Sequence, residues 1–509
     1  MRRRILLAVA IIAAAVPLHA GTASAGSLEV GLEDEGLFYK PPAAAAAVSA
    51  WQALGVDVVR LQANWTYLAP GGRKPPRNFN GADPNSPRYR NWFYLDNAVR
   101  LVRGAGMKVM LTITGPGPAW TSSQPKYKSG LYYPDPKKFA AFATAVAKRY
   151  GASVDRYMVW NEPNFRAWLM PQNHCIRPRV CTPVVPALYR DLFNAAAPAI
   201  RAADPGSQVL FGELAPVGRR AYSDATRMSP MPFLRSLACV DTRLRPVRTG
   251  LCRHFKAITA DGFAIHPHPG STTPPDGHAA NPEDAKFGDI PRILGVLNRL
   301  SAKRRLRVAH GKRFPMFITE FGYQTNPPDR NLGVSLRTQT AYLQEASYLA
   351  WRWSQVKELT FYGWNDEPVK RQGPAYVGWQ SALRFHTGKP KPALSVFSAP
   401  FVIDGRPGST KATLWGQVRP AAEPLVTLMV RARGARVFHD VTTLRTGSDG
   451  GFLRTMRVSP TASYRYRWTP LPTLADPDPS PRLSGIVDLA KNQRTSQSGM
   501  LRAAAALAG

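Results

Sequence analysis

Eight short apolar runs, each followed by an amphipathic stretch, fill the chain from residue 27 to about residue 390. They are "SLEVGLE" (27–33), "VDVVRLQANW" (56–65), "MKVMLTIT" (107–114), "DRYMVWNE" (155–162), "QVLFGEL" (208–214), "DGFAIHPH" (261–268), "PMFITEFG" (315–322) and "ELTFYGWN" (358–365). Most are nearly continuous in apolar residues, as strands covered on both faces must be. Between them lie helix patterns. The clearest is "PDPKKFAAFATAVAKRYG", with Asp135 as N-cap, Pro136 at the first helical position and Gly151 as the stop. Its Phe139, Phe142, Val146 and Tyr150 share one face. "FYLDNAVRLVRGAG", "ALYRDLFNAAAPAIRAADPG" and "DIPRILGVLNRLSAKRR" follow the same template. Eight strands alternating with helices predict an α/β fold of the (β/α)8 type, a TIM barrel, over residues 26–395. An open doubly wound sheet is the rival, and no Gly-rich phosphate turn follows the first strand to support it.

Past the barrel, "TGKPKPALSVFSAP" reads as a seam. Short alternating runs follow, including "KATLWGQV", "LVTLMVRAR" and "GGFLRTMRV", and predict a small antiparallel β-sandwich over 396–472. Residues 473–509 open as a Pro/Asp linker and are expected to be poorly ordered. At the other end, Arg2–Arg4, the apolar run Ile5–Leu18 and Ala23-Ser24-Ala25 form the three parts of a signal peptide over 1–25. The apolar run is short for a membrane span and Pro17 breaks it, so an exported protein without a transmembrane segment is expected. The expected destination is extracellular or the cell envelope, and the expected state is a monomer.

Export gives the four cysteines a disulfide reading. Cys175, Cys181, Cys239 and Cys252 allow three pairings, of which the two local bridges would each staple a loop. Their spacing lacks the pattern of a zinc site, and no metal or cofactor is expected. The chain is strongly basic, with 67 Lys plus Arg against 33 Asp plus Glu. The arginines are dispersed instead of forming one block interleaved with aromatics, which argues against nucleic acid. Attraction to anionic cell-wall polymers or acidic polysaccharide fits this charge.

In such a barrel the working side chains sit at the C-terminal ends of the strands. The fourth run ends on Asn161-Glu162 and the seventh on Thr319-Glu320-Phe321-Gly322. A carboxylate there is costly unless it is hydrogen-bonded or functional. Two on one rim are the minimum for splitting a glycosidic bond: one protonates the leaving oxygen, the other attacks or activates water. Helix capping would explain one such glutamate more readily than both.

"VWNEPN" at 159–164 and "FITEFG" at 317–322 resemble the acid/base and nucleophile motifs of clan A glycoside hydrolases, the retaining (β/α)8 enzymes of cellulase-like and β-xylosidase-like type. The resemblance spans roughly residues 27–400. It implies Glu162 as acid/base, kept protonated by its apolar surroundings and the charge of Glu320, and Glu320 as nucleophile. It implies that Arg60 keeps Glu320 ionised and that Asn161 donates to the sugar 2-hydroxyl. "AIHPHP" resembles the clan's His-x-Tyr pattern, with His266 in place and His268 where tyrosine stands; Tyr323 could replace that tyrosine. Trp364 matches the tryptophan that floors the sugar site, and Trp65 and Trp120 are further stacking candidates. The C-terminal sandwich is similar to immunoglobulin-like modules of exported bacterial enzymes. Together these imply a secreted retaining glycosidase acting on a poly- or oligosaccharide. A transglycosylase is one alternative. A non-catalytic cell-wall carbohydrate-binding protein is the other.

Overall fold

The computed structural model describes residues 28–488 apart from 125, 271, 373–374, 407–408, 422–424 and 470–479. All eight predicted runs form strands: β1 (Glu29–Glu33), β2 (Val58–Asn64), β3 (Lys108–Thr114), β4 (Arg156–Val159), β5 (Gln208–Leu214), β6 (Gly262–Ile265), β7 (Met316–Phe321) and β8 (Val356–Tyr362). They pair in parallel, each with the next, and β8 closes on β1. β2 and β3 run in register from Val58 opposite Lys108 to Asn64 opposite Thr114. A helix follows every strand: α1 (Pro41–Ala53), α2 (Trp92–Gly104), α3 (Pro136–Tyr150), α4 (Val185–Ala203), α5 (Pro230–Leu237), α6 (Ile290–Ala302), α7 (Leu336–Arg352) and α8 (Pro392–Phe397).

Local chemistry explains the elements. The Asp135 carboxylate accepts from the backbone N–H groups of Lys137 and Lys138, a cap worth about 1 kcal/mol. Phe139, Phe142, Val146 and Tyr150 of α3 are buried, as their spacing predicts. Truncating Phe142, stacked on Trp65 at 5.6 Å, to alanine would cost about 3–5 kcal/mol. Strand residues two apart share a face, so the barrel interior fills in layers. The lowest is polar: Arg156 bonds Glu358 at 2.7 Å and also pairs with Glu29. Above it lies an apolar plug of Val58, Met110, Met158, Leu210, Ala264 and Phe317. Gly31 sits at this level because a Cβ there would meet Thr360 Oγ1 at 2.1 Å. The plug is the floor of the functional layer.

β4 is shorter than the predicted run. Trp160 (φ +71°) and Glu162 (φ +36°) leave extended geometry and turn the chain out of the sheet. β6 stops at Ile265, before Pro267, which has no N–H to continue the ladder. Of the three cysteine pairings the two local bridges form, Cys175–Cys181 and Cys239–Cys252.

Beyond residue 400 the chain forms two antiparallel sheets. One joins β9 (Phe401–Asp404), β10 (Lys411–Gln417) and β13 (Gly451–Arg457). The other contains β11 (Leu425–Arg431), β12 (His439–Arg445) and β14 (Ser463–Trp468). Tyr464, Tyr466 and Trp468 alternate into the core of this unit, with Phe401, Leu414 and Phe452. The unit packs directly on α7. Trp415 lies 5.5 Å from Tyr348 and 5.9 Å from Trp351, whose indole N–H donates to Asp449 at 2.7 Å.

Part of the stretch expected to be poorly ordered departs from that reading. Residues Arg482–Leu483 and Val487–Asp488 pair with β14, because Ser484 accepts the Tyr466 N–H and Val487 is buried. Residues 473–479 and 489–509 of that stretch, and the predicted signal peptide, lie outside the described residues. Among the described residues no helix is long and apolar enough to cross a membrane.

Candidate active site

Arg60, two residues above Val58 on the inward face of β2, is fully buried at the centre of the functional layer. All three guanidinium nitrogens donate. Nε reaches Glu213 Oε1 at 2.8 Å and Nη2 reaches Glu213 Oε2 at 3.0 Å. Nη1 reaches Glu33 at 2.5 Å and Glu320 at 2.8 Å, and Nη2 also reaches Asn161 Oδ1 at 2.7 Å. Arginine can only donate, so the Asn161 carbonyl must face it, and the Asn161 amide is left to donate elsewhere. Removing one partner from a buried set like this costs about 3–5 kcal/mol, since the remaining charges stay out of water.

Glu162 and Glu320 stand at this rim with His266 between them. His266 Nδ1 lies 3.3 Å from Glu162 Oε1 and 3.4 Å from Glu320 Oε2, and its Nε2 lies 3.8 Å from Glu213. Burial opposes a charge on this imidazole, yet Glu320, Glu162 and Glu213 carry it up to about 10. Burial likewise opposes ionisation of Glu320, but His266 and Arg60 outweigh it and hold the carboxyl well below the usual range. Glu213 is held low in the same way, by Arg60 and His266 against burial. For Glu33 burial wins: the carboxyl is pushed up, and the Glu320 charge adds to the effect. Its Oε2 has no hydrogen-bond partner among the described residues. Two cations, Arg60 and His266, thus face two carboxylates, Glu213 and Glu320.

The sign of the His266 shift sets a measurable pH dependence. Its folded value exceeds the ordinary 6.5, so the imidazolium stabilises the fold fully below about pH 6.5. That contribution disappears as pH rises toward about 10. The melting temperature is expected to decline across this window in the native protein, with His266→Gln flattening the decline in calorimetric scans. An equal slope in both proteins would remove His266 from the account.

Glu213 escaped the sequence reading. Strict alternation along "QVLFGEL" sets Glu213 opposite in direction to Leu210, which faces the plug. A register shift between Gly212 and Leu214 reverses that parity. Gly212 has φ +117°, and a Cβ there would meet Ala264 O at 2.3 Å, so only glycine fits the bulge. Glu213 follows at φ +47°, and its carbonyl accepts the Glu162 N–H at 3.1 Å. Such backbone costs about 1–3 kcal/mol per residue and is retained where geometry is over-determined. Tyr189 of α4 supports it, donating to Val159 O at 3.0 Å and accepting the Gly212 N–H at 2.8 Å. Asn164 latches the loops after β4 and β5, bonding Ala215 and Met228.

His268 stands beside Glu320, with Nε2 3.4 Å from Oε2. Its ring stacks on Trp379 at 5.2 Å, and Tyr362 packs edgewise on the same indole at 5.6 Å. Trp379 is 42% exposed and offers an aromatic face at the mouth. Neither Trp379 nor Tyr362 was singled out by sequence: Trp379 lies on a loop, which carries no periodic signal, and Tyr362 is the last residue of β8, within an apolar run that does not mark it out. Near Glu33, an open groove of about 350 Å³ is lined by Glu35, Tyr39, Asn64, Thr66, Tyr67 and Arg90.

Four aromatic candidates go elsewhere. Trp65 begins a short helix, Trp65–Leu68, capped by Asn64, and packs outward between Phe139 and Phe142. Trp120 is buried, with its N–H on Pro70 O at 2.8 Å. Trp364 is 3% exposed and packs on Trp51 and Arg384, so it offers no open face to a sugar. Tyr323 donates to Thr273 O at 2.8 Å and is buried among Phe321 and Tyr342, so it does not replace the clan tyrosine. Glu162, His266 and Glu320 place donor atoms within 4.8 Å of one another, near enough for an ion. His266, held protonated between carboxylates, instead supplies the positive charge itself.

A closed parallel barrel with two opposed glutamates at its rim, steadied by arginine and histidine, defines a glycoside hydrolase. More particularly, residues 23–226 match the family model for Cellulase (glycosyl hydrolase family 5). No curated protein matches the sequence. Among solved structures the chain is similar to a monomeric beta-xylosidase from Caulobacter crescentus CB15, at 15% identity and TM-score 0.45, covering 86% of this chain and 95% of that one. It is also similar to the GH53 catalytic domain of Ignisphaera aggregans, at 14% identity and TM-score 0.44, covering 75% and 99%. Native xylanase 10B from Thermotoga maritima is similar at 14% identity and TM-score 0.41, covering 72% and 93%.

Proposed function

We propose that the protein is a secreted glycosidase that cleaves O-glycosidic bonds with retention of configuration. The observation that carries this reading is the closeness of the two acids: Glu162 and Glu320 bring oxygens within 4.8 Å of each other. This nearest approach of single oxygens favours the about 5–5.5 Å carboxyl separation of retaining enzymes over the about 6.5–9.5 Å that inverting ones need to admit water. In the first step Glu320 attacks the anomeric carbon while Glu162 gives its proton to the departing glycosidic oxygen. The product is a glycosyl ester on Glu320. In the second, Glu162 takes a proton from water, whose oxygen attacks the same carbon and frees Glu320. The low-lying Glu320 carboxyl supports the nucleophile role. Asn161, aimed by Arg60, has its amide free for the sugar 2-hydroxyl. Trp379 supplies a stacking face for a pyranose. Two disulfides agree with an oxidising compartment, as export requires.

Proton NMR of the first-formed sugar tests the stereochemistry. The initial product is expected to keep the anomeric configuration of the substrate and then mutarotate. An inverted first product would sink double displacement while leaving the glycosidase class intact.

A further inference from the structure

The end of the barrel opposite the catalytic rim carries a concentrated positive face. Residues 239–256 hold five Lys or Arg and one acid, Asp241, and residues 303–313 hold six and no acid, against 67 to 33 for the whole chain. Both segments follow a helix and lead back to the start of a strand, which places them at the N-terminal end of the barrel. The structure locks them together. Arg307–Val308 pairs with Thr259–Ala260, Lys303 donates to Leu244 O, and Arg305 donates to Ala238 O and Cys239 O. The Cys239–Cys252 bridge staples the first segment. Arg245 is paired with Asp241, but Arg243, Arg248, Arg253, Lys256, Arg307 and Arg313 are exposed and make no ion pair among the described residues.

Like charges held on a rigid face repel one another, a cost that an anionic partner would relieve. Phe255, a phenyl ring at this end of the barrel, is covered by the Arg305 guanidinium at 3.8 Å and so offers that side to no stacking base. From this geometry we infer that the face binds a linear anionic polysaccharide through its charges. The catalytic mouth then points away from the polymer, and the protein is held to an acidic matrix without its cleft being blocked. This does not rest on the glycosidase reading, because it concerns binding at the other end of the barrel.

Polygalacturonate serves as the probe, titrated against the full chain by calorimetry at several salt concentrations. Neutralising Arg243, Arg248, Arg253 and Arg313 together to glutamine is expected to weaken binding at least ten-fold. It should also reduce the slope of log affinity against log salt by roughly three. These four side chains make no hydrogen bond within the fold among the described residues, so folding is expected to survive. The control neutralises Arg433, Arg436, Arg445 and Arg457, exposed on the C-terminal unit, and is expected to stay within about two-fold. Equal losses in both variants would reduce the effect to net charge and overturn the assignment. So would absence of binding by the native protein, or tighter binding of duplex DNA or anionic vesicles through the same arginines.

Discussion

Glu320→Gln is expected to lower turnover of an aryl glycoside by on the order of 10⁴-fold, equivalent to about 5.5 kcal/mol of lost transition-state stabilisation. Glutamine keeps the shape of the side chain and can still accept from Arg60 Nη1, which lies 2.8 Å from the native carboxylate. It cannot form the glycosyl ester. Glu162→Ala should behave differently. With a leaving group that needs no proton, glycosylation proceeds and the second step becomes limiting, because nothing deprotonates water. Azide needs no general base and fits the space vacated by the carboxyl, so it should restore turnover and yield a glycosyl azide. Steady-state rates on activated and unactivated substrates, with and without azide, check both variants. Native-like rates in either one would remove the catalytic assignment of that glutamate. A matched circular dichroism melt separates lost chemistry from lost fold.

The second large effect is expected at Glu213. This side chain takes two hydrogen bonds from Arg60, a third from Thr112 at 3.1 Å, and faces His266 at 3.8 Å. It touches no reacting atom in the proposed scheme, so its role is positioning. Glu213→Gln leaves two cations facing the single charge of Glu320. Arg60 is then free to shift, and Asn161 and Glu320 shift with it. A loss of about 10²-fold in kcat/KM is expected, on the scale of a displaced electrostatic stabiliser. Its signature is a pH profile. Glu213 is among the groups that raise the His266 pKa, so its neutralisation lets the imidazole lose its proton at lower pH. The alkaline decline of melting temperature assigned to His266 should therefore begin at lower pH in Glu213→Gln than in the native protein. A rate loss with an unmoved decline would make Glu213 a packing residue only.

His268 sharpens the comparison with the clan pattern. The position implied for tyrosine holds an imidazole whose Nε2 lies 3.4 Å from Glu320, and Trp379 stacks on it to fix the ring plane. Tyr323, the neighbouring candidate for that duty, is committed to the Thr273 carbonyl. In this chain the contact with Glu320 is made by His268.

The residues that could be read from sequence carry local information. Eight strands alternate with helices because apolar runs and amphipathic periods are properties of neighbours in the chain, and Asp135 caps α3 through atoms two and three residues away. Glu162 and Glu320 stood out because an acid ending a buried strand is costly wherever the strand lies. Tertiary structure alone decided the rest, since it turns on which way a side chain faces. A one-residue bulge at Gly212 reversed the parity of β5 and delivered Glu213 to the arginine. A short helix after β2 swung Trp65 into the layer behind the sheet, while a loop beyond β8 brought Trp379 to the mouth. The cysteines permitted three pairings until folding placed each beside its local partner. Strand order and chemistry are written along the chain; the charge balance around Arg60 exists only once five strands bring their ends together.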